Sequence, residues 1–215
     1  MKTTVFKLID PIFEMVDENS DLVKEIYIAP TLPAYAILNS EVERSCETID
    51  LMYMPARHEV SIDRIIIDGV NSLLPTEVRS ATLTVNYSGI RDYKLLFPQV
   101  TNKRLKERLG QFAEEAEIAF DAGAWMSFTI MAASVLEGLL FDVYEKYHFH
   151  ELIDLANENG AITNDEADLL NNVREIRNRV HASKYKQSFS DRKVSNDLYV
   201  LYDRLIKKNW AKKDV

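Results

Sequence analysis

The sequence predicts an α+β protein in which a small mixed or β-rich N-terminal domain, residues 1–100, precedes an all-α domain of five helices, residues 101–215. Proline usage favours this division, because all six prolines lie at or before Pro98 and none follows. Proline breaks helices and interrupts central strands. Hydropathy also changes from alternating patterns to helical spacing, and five amphipathic segments with short links are typical of a bundle.

The first domain favours strands, although residues 4–28 fit no single pattern. Apolar or alternating patterns favour strands at four segments, namely 49–54, 58–68, 81–87 and 93–97. The second segment is predicted to end at the turn signal Asp68-Gly69 and the third at Ser88-Gly89. The fourth segment would pair with the third as a hairpin, and a short helix is expected around 10–18. No pattern here identifies a ligand, so a ligand-sensing role for this domain stays an open alternative.

Helical periodicity predicts the first three helices of the second domain. The first spans 102–121 and ends at Gly123. The second, about 124–147, carries apolar residues around a wide arc, so we expect it to be central and buried on more than one side. The third, 149–158, is stopped by Asn159-Gly160, a strong C-cap pair.

Two further helices complete the bundle. Thr163 and Glu166 match the capping box, so a fourth helix is predicted to begin there and to run continuously through residue 182. Ser190 precedes the last helix, whose apolar residues recur at helical spacing: Val194, Leu198, Leu201 and Leu205.

Bulk properties indicate a cytoplasmic protein. No apolar run is judged long enough to span a membrane, and the N-terminus lacks the pattern of a secretory signal. The single cysteine, Cys46, excludes an intrachain disulfide and fits a reducing compartment.

Charge is distributed unevenly. The net charge of −8 argues against a broadly basic surface that coats nucleic acid. Residues 174–193 nevertheless hold seven Lys and Arg against two acidic residues, a local charge of +5. Such a patch attracts a phosphate chain, because screening limits distant charges to roughly 10 Å. A solvated helix end is the alternative interpretation of the same charges.

The segment 172–181 holds the residues with the clearest chemical potential. On one continuous helix, Arg174, Arg177 or Asn178, and His181 project together. Arginine forks match phosphate oxygens, and histidine exchanges protons near neutral pH. Together these groups supply what RNA transesterification needs without a metal: a base, an acid and positive charge at the phosphate.

The run from Arg104 to Trp210 resembles the HEPN domain, a helical bundle of prokaryotic defence and toxin systems. The resemblance rests on three tracts, namely 116–123 with its following helix, 135–140, and 173–178 leading to His181. The family signature is an arginine, often followed by a polar residue, and four to six intervening residues before a histidine. Arg177-Asn178 is the expected dipeptide but has three intervening residues, whereas Arg174 has six and is followed by Glu175.

The resemblance implies a metal-independent endoribonuclease that dimerises, so that two motif helices build one shared site. It implies that His181 handles the proton, that Arg177 and Arg174 bind phosphate, and that Asn178 orients the substrate. Glu137 resembles an acidic residue that often faces the motif, where it would pair with an arginine. Catalytically silent relatives exist, so an inactive module that dimerises or binds RNA or protein is the alternative.

Additional RNA contacts are expected from the basic stretch: Arg179, Lys184, Tyr185 and Lys186, with Phe189 as a further aromatic that could stack on a base. An RNA and an antitoxin or regulatory protein are therefore the expected partners beside a second copy of the chain. No cofactor is expected. His148 and His150 do not share a helical face, so a metal site there is disfavoured.

Overall fold

The computed structural model describes residues 1–16, 22–45, 57–71, 80–188 and 190–210. The chain divides into two compact units, Met1–Asp92 and Tyr93–Val215. The first contains strands and the second contains five helices, which confirms the predicted α+β class. The predicted strand at 49–54, Cys46 and Phe189 lie outside the described residues.

Two antiparallel sheets form the described part of the first unit. Their strands are β1 (Lys2–Ile9), β2 (Ile12–Met15), β3 (Leu22–Ile28), β4 (Tyr35–Ser45), β5 (His58–Ser61), β6 (Arg64–Asn71) and β7 (Ser80–Ile90). One sheet has the order β1-β7-β4 and the other β2-β3-β6-β5. Alternate side chains of β1 and β7 are buried, which is the period of two expected for a sheet with one face on a core.

Strand pairing overrides several local predictions in this unit. The segment 58–68 is two strands, not one, because Ile62 and Asp63 form a turn in which Ile62 has a φ of +37°. The predicted turn at Asp68-Gly69 is wrong, since β6 continues through it while paired with β3. Likewise β7 continues to Ile90, beyond Ser88-Gly89, because it pairs with β4.

Two further predictions fail at the ends of this unit. The helix expected around 10–18 is replaced, within the described residues, by β2, which pairs with β3. The strand expected at 93–97 is a 3₁₀ helix, Tyr93–Leu96, that packs on the first α-helix of the second unit. There the Tyr93 hydroxyl donates to Glu117 at 2.7 Å, and burial together with that carboxylate raises the Tyr93 pKa above 10.

Side chains connect the two sheets directly. Arg44 of β4 forms an ion pair with Glu25 of β3 at 2.7 Å, and Glu25 is fully buried. The Tyr27 hydroxyl also donates to Glu25, at 3.3 Å. Ser40 and His58 make a second link between the sheets, at 3.1 Å. The sheets therefore face each other across a core that contains a charged pair.

The second unit is a bundle of α1 (Lys103–Asp121), α2 (Trp125–Tyr144), α3 (Phe149–Glu158), α4 (Asn164–Arg177) and α5 (Arg192–Lys207). The predicted stops are confirmed, since Gly123 and Gly160 adopt φ of +70° and +67°, which favour glycine. The capping box at Thr163 and Glu166 is present. Helix α2 contacts all four other helices, as its wide apolar arc predicts.

Helix α2 corrects one expectation about membranes. Among the described residues, it alone is long and apolar enough to cross a membrane by length and composition. Its apolar residues are largely buried against the other helices, including Phe128, Leu136 and Leu140. The core of the bundle therefore accounts for its apolar character, and the sequence expectation that no such run exists was wrong.

Candidate phosphate-binding and acid–base site

The local sequence fixes the start of α4, and packing holds its last turns. The Thr163 hydroxyl oxygen accepts a hydrogen bond from the Glu166 N–H, and the Glu166 carboxylate accepts one from the Thr163 N–H, which satisfies two free donors at the helix start. Val173 and Ile176 are buried and hold the last turns against the bundle. Arg174 and Arg177 occupy the last turn, where positive charge complements the helix dipole.

The α-helix ends earlier than predicted. The Asn178 N–H bonds to the carbonyl of Glu175, three residues back, so the chain tightens into a 3₁₀ helix at Asn178–Val180. His181 follows in an extended conformation, with ψ of 134°. The prediction of one continuous helix over 163–182 is therefore wrong. A 3₁₀ helix has three residues per turn, so α-helical spacing no longer places His181 on the face of the arginines.

Arg177 and Glu137 form the centre of the site. The Arg177 Nη1 donates to the Glu137 Oε2 at 2.5 Å, joining α4 to α2 across 40 residues of sequence. The exposed fractions of the two side chains are 33% and 29%. The pair between this carboxylate and an arginine was expected from sequence, and it is present. One of five guanidinium donors is engaged, so the remaining N–H groups can bind an anion.

Arg174 and His181 flank this ion pair along the chain. Arg174 lies three residues before Arg177 on α4, so the two side chains share one side of the helix. It is half-buried, and no acidic partner for it exists among the described residues. His181 and Asn178 are exposed, His181 at the start of the following loop. The structure thus joins Arg177 to Glu137 across α4 and α2, places Arg174 three residues before Arg177 on α4, and leaves His181 on an accessible turn.

The loop after His181 presents the predicted RNA contacts. Lys184, Tyr185 and Lys186 are all exposed, and the Lys186 ammonium lies 5.7 Å from the centre of the Tyr185 ring. Arg179 has a different position, because its Nη1 donates to the carbonyl of Ser188 at 3.0 Å. Arg179 therefore anchors the loop, a role that its charge alone did not indicate.

A cleft that sequence reasoning missed lies beside the ion pair. It has a volume of about 250 Å³ and is lined from α1, α2, α3 and the α2–α3 loop. Glu137 is one of its walls, so the cleft adjoins the carboxylate that holds Arg177. The sequence signal that could have indicated the cleft is the pair Lys146 and Tyr147, a basic and an aromatic residue side by side between two helices.

Chemically, this end of the bundle offers fixed positive charge and an accessible imidazole. Arg177 and Arg174 suit a phosphodiester, and the His181 imidazole has ring nitrogens that can donate and accept a proton. Within the described residues, no cluster of three or more His, Cys, Asp or Glu side chains has the arrangement of a metal site. No protein-family model matches the chain, and comparison with curated proteins and with solved structures finds no match.

Proposed function

We propose that the helical unit is a metal-independent endoribonuclease of the HEPN type. It acts as a cytoplasmic homodimer in phage or plasmid defence, or as a toxin restrained by an antitoxin or other regulatory protein. The observation that carries the proposal is the half-exposed Arg177, held by Glu137 at 2.5 Å, with Arg174 beside it and exposed His181 four residues on. Neither a cofactor nor a metal is part of the proposal.

The cleavage step follows from these groups. The 2′-hydroxyl oxygen attacks the adjacent phosphorus as its proton passes to a neutral imidazole. The bond to the 5′ oxygen breaks, and an imidazolium protonates that oxygen, leaving a 2′,3′-cyclic phosphate and a 5′-hydroxyl. In a dimer the two copies of His181 provide one base and one acid. Arg174 and Arg177 stabilise the charge that accumulates on the phosphoryl oxygens.

The exposed loop supports substrate binding in this proposal. Lys184 and Lys186 neutralise phosphates on either side of the cleaved bond, and Tyr185 stacks on a base. A locally basic loop on an acidic protein makes binding sensitive to salt, since counterions are released from the RNA.

A second function is favoured by the early end of α4. Because His181 lies beyond the α-helix and only three residues separate it from Arg177, the same unit fits a non-catalytic module. In that case Arg177 and Arg174 bind RNA or a partner protein and no bond is broken. The acidic net charge of −8 also suits a protein partner.

Cleavage of a fluorescent RNA by the purified full chain in EDTA tests the proposal. We expect products with cyclic phosphate ends, and a loss of roughly 10²–10⁴-fold in rate for His181→Ala, the usual contribution of a general acid or base. His150→Ala is the matched control, because His150 is also exposed and in the same unit. It should leave the rate unchanged.

The outcomes separate the two candidates. An absence of cleavage, or cleavage that is equal in the two histidine variants, rejects the nuclease. RNA binding that persists without turnover and weakens in Arg177→Gln then supports the binding module. Light scattering at micromolar concentration tests the dimer, and a monomeric mass contradicts a shared site.

A further inference from the structure

We propose that the cleft between α1, α2 and the α2–α3 loop holds one base of the RNA strand whose phosphate lies against Arg174 and Arg177. The inference rests on the proposed function, because it assigns a base-binding subsite to the same site. Glu137 is the shared element, since it lines the cleft and accepts the hydrogen bond from Arg177 at 2.5 Å. A base in the cleft therefore places its own phosphate within reach of the arginines.

The shape and lining of the cleft suit a single planar ring. Its volume is about 250 Å³, somewhat below the range of about 300–1,000 Å³ typical of pockets for larger ligands. Apolar side chains form most of its wall: Leu105, Leu109, Phe112, Phe141, Tyr147 and Leu152. A wall of this kind removes water from the ring surface that it contacts and leaves the ring edge to polar groups.

Aromatic rings at the mouth provide a stacking surface. The Phe141 and Tyr147 ring centres are 6.0 Å apart, with planes inclined by 48°. Tyr147 is 86% exposed, so most of its ring surface has no protein contact. Every base has a π-face, and stacking on such a ring strengthens binding of single strands.

Cations at the rim fit the flanking phosphates. Arg108 of α1 and Lys146 of the α2–α3 loop both line the cleft and are exposed. Neither has an acidic partner among the described residues, so both charges are available to an anionic strand. Two cations therefore line a cleft that is mostly apolar, and Arg177 is linked to the same cleft through Glu137, an arrangement that is complementary to a base between two phosphates.

Acceptors inside the cleft indicate which base fits. The Ser134 hydroxyl donates to the Ile130 carbonyl at 2.9 Å, so its oxygen is left to accept. Glu137 has a second carboxylate oxygen beside the one that binds Arg177. Acceptors pair with exocyclic amino groups. The cleft therefore favours bases with an amino group, such as guanine, over uracil.

A scan of abasic positions tests the subsite. Short 2′-O-methyl RNAs, which resist cleavage, each lack one base, and their affinities in EDTA are measured by fluorescence anisotropy. We expect one position at which loss of the base weakens binding about tenfold, and at which uracil binds more weakly than guanine. Tyr147→Ala should abolish that dependence, and Tyr147→Phe should restore it.

Ile118→Ala is the control, because Ile118 is an exposed apolar residue of α1 outside the cleft lining. Equal affinities at all positions, an unchanged abasic effect in Tyr147→Ala, or no binding of any oligomer overturns the subsite. If unmodified RNA is cleaved but all abasic positions give equal affinities, the nuclease proposal is supported and the subsite is rejected. A position-dependent scan without cleavage supports the subsite and rejects the nuclease.

Discussion

The β-rich unit and the helical unit each contain a glutamate–arginine ion pair, and the two pairs differ in the burial of the carboxylate. In the β-rich unit, Glu25 is fully buried and Arg44 is 31% exposed. In the helical unit, Glu137 and Arg177 are both about a third exposed. The carboxylate of the first pair is enclosed, whereas the carboxylate of the second lines a cleft beside an arginine that keeps guanidinium donors open.

This difference distinguishes an ion pair that stabilises the fold from an ion pair that is open to a ligand. A buried carboxylate that loses its partner is left uncompensated, and the cost falls on the fold. A half-exposed pair contributes little to stability, because water screens both charges. Such a pair leaves its arginine available to bind a ligand. Removing one partner at a time from each pair tests this contrast.

The largest effect is expected for Arg44→Met. Loss of the guanidinium removes the ion pair made at 2.7 Å by a fully buried carboxylate, so we expect the free energy of unfolding of the β-rich unit to fall by about 3–5 kcal/mol. Hydrogen exchange of β3 and β4 measures this change. Arg64→Met is the control, since Arg64 and Asp63 are exposed on the turn, and it should cost under about 1 kcal/mol. Similar losses in the two variants would contradict a structural role for the Glu25 pair.

A smaller effect, on activity rather than stability, is expected for Arg177→Gln. Loss of one charge-stabilising group should lower RNA cleavage roughly 10²-fold, while unfolding changes by under about 1 kcal/mol. Trp125 and Trp210, the two tryptophans of the chain, both lie in the helical unit, so their fluorescence monitors its unfolding.

Arg204→Gln is the matched control for that experiment. Arg204 pairs with Glu166 at 2.6 Å in the same unit, and the two side chains are 44% and 25% exposed. The two variants should therefore lose comparable stability, and only Arg177→Gln should lose cleavage. A parallel loss of activity in Arg204→Gln would assign the effect to the fold instead of the site.

The comparison also shows what the sequence could predict. Helix boundaries could be predicted where a capping residue acts on the local backbone, as at Thr163 and Gly160. The Glu137–Arg177 pair was anticipated from the resemblance. In the β-rich unit, by contrast, Asp68-Gly69 predicts a turn locally, and pairing with β3 holds it in a strand.

The end of α4 and the cleft could not be predicted for a similar reason. The residues 178–182 contain no Gly or Pro that would stop a helix, so the pattern extended to His181. The chain instead tightens at Asn178, where Arg179 donates to Ser188 and folds the loop back. The cleft combines residues from separate helices, such as Arg108 and Tyr147, which no spacing rule brings together.

The smallest expected effects come from one glycine in each unit. At Gly110 of α1, an added Cβ would lie 3.1 Å from the Lys94 backbone nitrogen and 2.9 Å from its Cγ. This overpacking outweighs the roughly 1 kcal/mol gained in helix propensity, so Gly110→Ala should destabilise the helical unit by about 1 kcal/mol. At Gly89 of β7, nothing lies within 4 Å of an added Cβ, and Gly89→Ala should stabilise the β-rich unit by about 0.5 kcal/mol. Tryptophan fluorescence during urea unfolding measures the first change, and hydrogen exchange of β7 measures the second. Stabilisation by Gly110→Ala would show that the 3₁₀ helix at Tyr93–Leu96 can shift away from α1. The contact between position 110 and Lys94 would then not limit the packing of the bundle.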